Sequence, residues 1–130
     1  MTRTPEKTET RRARRRRERA GRAAEAAASL WLQLKGYRIL AQRARMPACE
    51  IDIVARKGRM LVFVEVKSRR TIDAAREAVT PELRRRLEQA ATQWATHRRD
   101  AQSLLWRFDM MLLAPGRLPL HVRDAWRAET

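Results

Sequence analysis

The chain has little of what would confine it to a secreted, membrane-embedded or nucleotide-cradling class. Its one cysteine, Cys49, can form neither an internal disulfide nor a cysteine-based zinc cluster. A single free thiol suits a reducing compartment, and a cytoplasmic location is the expectation. No apolar run approaches the roughly 20 residues of a membrane span, and the first residues lack an apolar targeting core, so no membrane partner is expected. The four glycines are scattered, which excludes a glycine-rich phosphate loop, and no internal repeat or heptad array is present. His97 and His121 stand alone and read as surface or packing residues rather than catalysts.

Acidic residues are also scarce. Lys and Arg number 30 against 15 acids, for a formal net charge of +15. Such a balance predicts attraction to polyanions, nucleic acid first, and an anionic membrane surface or an acidic protein only after it. Residues 1–22 hold ten basic and three acidic residues, so the rest of the chain still carries +8 and is basic in its own right. At 130 residues one domain can bury a core without disulfide or metal staples. Residues 1–20 have no apolar periodicity and are expected to form a disordered basic tail, becoming helical from Arg11 only on phosphate. Residues 21–130 are expected to form the folded domain.

A helix is expected from Gly21 to Lys35, with Ala23, Ala27, Leu30, Trp31 and Leu34 as its buried stripe and Gly36 ending it. Glu25 falls on the row Gly21, Glu25, Ala28, Leu32, beside that stripe. Tyr37–Gln42 reads as a first strand and Arg43–Cys49 as a loop. Glu50–Ala55 and Leu61–Lys67 read as a hairpin around Gly58. Arg69–Ala78 reads as a loop. Thr80, Pro81 and Glu82 announce a second helix, with Leu83, Leu87, Ala90, Ala91 and Trp94 inward. Leu104–Leu113 reads as a buried strand, Leu118–Val122 as an edge strand, and Asp124–Thr130 as a short closing helix.

The hairpin carries acids among its hydrophobics. A two-residue turn at Lys57-Gly58 or Gly58-Arg59 pairs even residues with odd ones, which gathers Glu50, Asp52, Glu65 and Lys67 on one face. Like charges at cross-strand distance repel, so three carboxylates there call for a cation. Magnesium takes hard oxygen ligands from one or two carboxylates plus phosphate and water, and manganese can replace it. A lysine two residues beyond Glu65 can orient a water or neutralise developing charge. Strands, helices and a mixed sheet make an α/β sandwich, and phosphodiester hydrolysis by a basic protein would use every one of these parts.

Gly21 with Glu25, Gly36-Tyr37-Arg38-Ile39-Leu40, Glu50-Ile51-Asp52, Phe63-Val64-Glu65-Val66-Lys67 and Arg107-Phe108-Asp109 resemble, in order and spacing, the bacterial YraN family. That family is regarded as predicted endonucleases, distantly similar to archaeal Holliday junction resolvases of the PD-(D/E)xK superfamily. The resemblance covers roughly residues 21–126 and implies a restriction-endonuclease-like three-layer sandwich with a mixed central sheet. It implies Asp52 and Glu65 as metal ligands, Glu25 as the helical acid completing the site, and Lys67 as the catalytic lysine. Glu50 matches the pattern with a less defined role, and Asp109 matches with a salt bridge to arginine as its expected part. Cys49, Arg43 and Leu83 stand where that family commonly has glycine, asparagine and lysine. The expected activity is a magnesium-dependent DNA endonuclease, with branched or structured DNA among its substrates. The alternative is a catalytically silent nucleic-acid-binding module. Resolvase-like enzymes often pair to cut two strands, so a homodimer is compatible, though no dimer face is legible.

Overall fold

The hairpin turns at Gly58-Arg59. Gly58 takes a φ of 61° and Arg59 does not, the type II′ pattern that matches strand twist. A computed structural model describes residues 10–128. Its elements are α1 (Arg11–Leu34), β1 (Arg38–Arg45), β2 (Glu50–Lys57), β3 (Met60–Ser68), α2 (Ile72–Glu77), α3 (Pro81–Thr96), α4 (Arg99–Gln102), β4 (Leu105–Leu113) and β5 (Leu120–Trp126). The strands form one sheet in sequence order, antiparallel except for the parallel pair β3–β4. The chain is thus an α/β protein with a five-stranded mixed sheet flanked by helices.

Two apolar clusters lie against this sheet. Ala24, Ala28 and Leu32 of α1 pack with Ile53, Val62, Val64 and Met111. Leu87, Ala90, Ala91 and Trp94 of α3 pack with Val54, Leu61, Phe63 and Phe108. Phe63 is the hub of the second cluster, 5.3 Å from Trp106, 5.6 Å from Phe108 and 6.0 Å from Trp94 between ring centroids. β3 is buried from Leu61 to Val66 because it has neighbours on both edges and helices on both faces.

The inward face of α1 differs from the expected one. Leu30 and Leu34 are 58% and 73% exposed, Ala23 and Ala27 also face out, and Ala24, Ala28, Ser29 and Leu32 are buried. Alanines on both sides of the helix blur the period, and small residues at 24 and 28 let the backbone approach the sheet. Glu25 therefore points toward the core side.

α1 also begins ten residues before the expected start, so the proposed boundary at residue 20 falls inside a helix. Thr10 caps it, its Oγ1 accepting from the Ala13 N–H at 3.1 Å. Once the anchored half exists, each further arginine or alanine adds a hydrogen bond without a new nucleation cost. Residues 1–9 of the expected tail lie outside the described residues. Two smaller corrections follow from caps and pairing. Thr71 caps α2 within the expected loop, accepting from the Ala74 N–H. Residues 124–126 extend β5 instead of starting a helix, because Trp126 pairs with Phe108.

The C-terminal end of α1 is fastened twice. Gly36, at φ 92°, donates to the Gln33 carbonyl while Tyr37 donates to that of Leu32, a Schellman closure. Beside it lies a buried polar network. Asp109, fully buried, accepts from Arg107, from His121 Nε2 at 2.7 Å and from the Asp124 N–H. Lys35 Nζ lies 2.6 Å from His121 Nδ1, and Arg107 donates to the Tyr37 hydroxyl. Burial opposes the Asp109 charge, but His121, Arg107 and the Asp124 N–H outweigh it and hold the carboxyl below its ordinary range. The expected Arg107–Asp109 salt bridge is present at 2.7 Å. Asp109→Ala strands the buried partners and should destabilise the fold by about 3 kcal/mol, read by urea unfolding. Loss of less than about 1 kcal/mol would show that the network carries little.

Candidate metal centre

The β2–β3 ladder runs from Lys57↔Met60 to Ile53↔Val64 and stops there. One step further, Asp52 comes alongside Glu65, but the strands part. The Asp52 Oδ2 accepts the Val66 N–H at 2.8 Å, so a side chain takes the place of the departing strand. Ile51 joins the cluster under α3 while Ile53, only two residues on, joins the one under α1. Strand alternation therefore resets at Asp52. Opposite it in β1, Arg43 adopts a left-handed φ of 51°. The four hairpin residues are close, as the register arithmetic requires, but they do not form one flat face.

Glu25, Asp52, Glu65 and Lys67 line a cleft of about 260 Å³ between α1 and the ends of β2 and β3. Lys67 Nζ lies 3.2 Å from Glu65 Oε1, and the Glu65 side chain is only 6% exposed. Glu50 sits in the adjoining depression, which shares Glu25 and Gly21 with the cleft. One carboxylate oxygen each from Glu25, Glu50 and Asp52 lie within 4.8 Å of one another. The structure thus brings all five expected residues together, with Glu50 at the rim, paired loosely with Arg45 at 3.8 Å.

Burial pushes the Asp52 carboxyl up to about 6, with the Glu25 charge adding to the rise and the Val66 N–H opposing it. Burial and the Asp52 charge push Glu65 up to about 8, against the pull of Lys67. Two neighbouring carboxyls, Glu65 buried and Asp52 half-buried, cannot both ionise cheaply, so each raises the cost of the other's charge. This is an arrangement of hard oxygen donors that a divalent cation would relieve, and it fits magnesium or manganese better than softer metals.

Sequence reasoning missed Arg43 and Arg17. Arg43 Nε lies 2.6 Å from Glu25 Oε2, a pairing no local pattern announces because the residues meet only across α1 and β1. Arg17 lines the cleft two helical turns before Glu25, which its spacing of eight could have signalled once α1 was known to extend that far.

A basic α/β protein with a buried and a half-buried carboxylate side by side and a lysine at the end of a central hairpin is the class these features define. Within it, the chain belongs to Uncharacterised protein family UPF0102, whose sequence pattern matches residues 24–113. It is 51% identical over 102 residues to a UPF0102 protein of Caulobacter vibrioides, covering 78% of this chain and 82% of that one. It is 50% identical over 109 residues to one of Paramagnetospirillum magneticum, covering 81% and 84%. A Nitrobacter winogradskyi relative is 49% identical over 106 residues, covering 82% and 90%.

The raised carboxyls set a pH dependence. Their folded pKa values exceed the ordinary 3.8 and 4.5, so the folded state binds protons that the unfolded chain has released. The stabilisation is complete below about pH 4 and is lost as pH rises through about 8. Metal-free protein should therefore lose stability from pH 5 to pH 8, and Glu65→Gln should flatten that slope and add at least about 1 kcal/mol at pH 8. Parallel urea-unfolding curves for wild type and variant across this range would refute the buried pair.

Proposed function

We propose that the protein is a divalent-metal-dependent endonuclease of DNA, with a restriction-endonuclease-like core similar to that of the YraN family. The observation that carries this reading is the cleft lined together by Glu25, Asp52, Glu65 and Lys67, with Lys67 Nζ 3.2 Å from the buried Glu65, on a chain of net charge +15. Asp52 and Glu65 would hold magnesium, or manganese in its place, with Glu25 completing the set. Bound there, the ion would supply positive charge against the scissile phosphate and acidify a water.

The chain's own residues do the rest. Glu65 fixes the Lys67 ammonium at the cleft wall, where it meets the attacking water or the charge that develops on phosphate. The Val66 N–H fixes the Asp52 carboxylate, and α1 presents Glu25 from the opposite wall. Eight arginines between Arg11 and Arg22 run along the same helix toward the cleft and attract the polyanion. Branched or structured DNA belongs among the substrates to be tried.

A second reading, a nucleic-acid-binding module without turnover, draws on Arg43. Its guanidinium already neutralises Glu25, which would leave the cleft one ligand short. Labelled duplex, flap and four-way-junction DNA, incubated with magnesium or manganese, separates the two. On the nuclease reading the wild type cuts, and Asp52→Ala and Lys67→Ala each cut about 100-fold more slowly or not at all. Equal nicking by all three would assign the cleavage to a contaminant. Salt-sensitive binding without cutting under any metal would favour the module.

A further inference from the structure

Of the chain's four glycines, three are explained by their backbones: Gly36, Gly58 and Gly116 all have positive φ. Gly21 is different. It lies inside α1 with no left-handed conformation to demand it, where glycine is less favourable than alanine. A Cβ placed on Gly21 would meet no heavy atom of the described residues within 4 Å, so none of them needs the space. Yet this bare stretch of helix borders both the cleft of Asp52 and Glu65 and the depression of Glu50.

The residues around it indicate what would come close. Arg17 and Glu25 flank Gly21 at four residues on either side, which puts all three in one row along the helix, and all three line the cleft. The row begins in the arginine-dense half of α1, where no acid stands in the first turn to offset the positive helix terminus. It ends at the carboxylates. A ligand laid along it must be anionic at the arginine end and must reach the cation-binding end through the gap that the missing side chain leaves.

We propose that Gly21 is the point of close approach for the sugar–phosphate backbone of a bound nucleic-acid strand, carried along the row Arg17, Gly21, Glu25 into the cleft. This rests on the nucleic-acid reading above and deepens it by naming the path of the strand. Gly21 is a positioning residue: its contribution is the absence of a side chain, which lets phosphate lie against the helix.

The test compares the full-length wild type with Gly21→Ala, Gly21→Leu and, as a control on the exposed outer side of the same helix, Ala23→Leu. Thermal unfolding is followed by circular dichroism. Binding of a short fluorescein-labelled DNA, duplex and junction, is followed by anisotropy with calcium in place of magnesium. Alanine and leucine form helix better than glycine, so the melting temperatures of both Gly21 variants should equal or exceed that of wild type. Binding should nonetheless weaken, by about threefold for alanine and about tenfold or more for leucine, while Ala23→Leu binds as wild type does. A stabilised protein that binds DNA less well has no explanation in a merely structural glycine.

Wild-type affinity in both Gly21 variants would overturn the path and leave the nuclease reading standing. A fall in melting temperature in Gly21→Ala would also overturn it, by making the glycine a requirement of the fold. Absence of DNA binding by the wild type itself would remove both readings together.

Discussion

Two carboxyls, the half-buried Asp52 and the buried Glu65, lie side by side where the central hairpin comes apart, and the surrounding structure is arranged around that cost. A regular ladder would have carried Val66 N–H to a backbone carbonyl and left the acids stacked across the strands. Instead the ladder ends at Ile53↔Val64, and Asp52 itself accepts the Val66 hydrogen. The bond binds the acid to the sheet and opens the space that becomes the cleft. Buried charge is tolerated only with partners, and here the partners are the Val66 N–H on Asp52 and the Lys67 ammonium on Glu65. Even so, burial and the Asp52 charge push the Glu65 carboxyl up to about 8. The site is satisfied for folding and under-neutralised for two full charges.

α1 connects this site to the rest of the molecule. Its C-terminal end is held by the Gly36 closure and by the network of Lys35, His121, Asp109 and Arg107. Lys57 of the hairpin adds a bond to the Lys35 carbonyl. The proton positions in that network follow from its donors. A charged Lys35 can only donate to His121 Nδ1, so the ring hydrogen lies on Nε2 and points at Asp109. With one end fixed, the rigid helix sets the height of Glu25 and Gly21 over the cleft. The opposite end, Arg11–Ala20, has no buried residue and carries most of the helix's arginines.

What the sequence makes legible, and what it hides, divides along these same lines. The hairpin, its turn at Gly58 and the capped start of α3 at Thr80 follow from local chemistry, and each appears where the residues imply. The grouping of Glu50, Asp52, Glu65 and Lys67 follows from register. The inward face of α1 does not, because Ala23, Ala24, Ala27 and Ala28 make two faces nearly equal in hydrophobicity and only the sheet chooses between them. The helical state of the arginine stretch is hidden for a related reason: taken alone it has no face to bury, and it becomes helical as an extension of a helix anchored elsewhere. The reset at Asp52 is the least legible feature. Ile51 and Ile53 are identical in kind and two residues apart, yet they enter opposite cores. Nothing in a strand's alternation announces such a break, although it is what lets a hairpin acid meet a helical one.

Arg43 shows how closely the charges near the cleft are balanced. It occupies the left-handed conformation that non-glycine residues rarely adopt, opposite the reset, and from there its guanidinium reaches Glu25. The same strained backbone and the same acid recur in any account of the site. If a divalent ion takes Glu25 as a ligand, Arg43 must give up its shortest contact, and the nearest alternative partner for a guanidinium beside a bound strand is phosphate. Metal and nucleic acid would then favour one another without direct contact, each releasing what the other needs. Of the three acids Glu25, Glu50 and Asp52, Glu25 is paired with Arg43 and Glu50 loosely with Arg45, so a dication on the acids would release guanidinium groups for an anion.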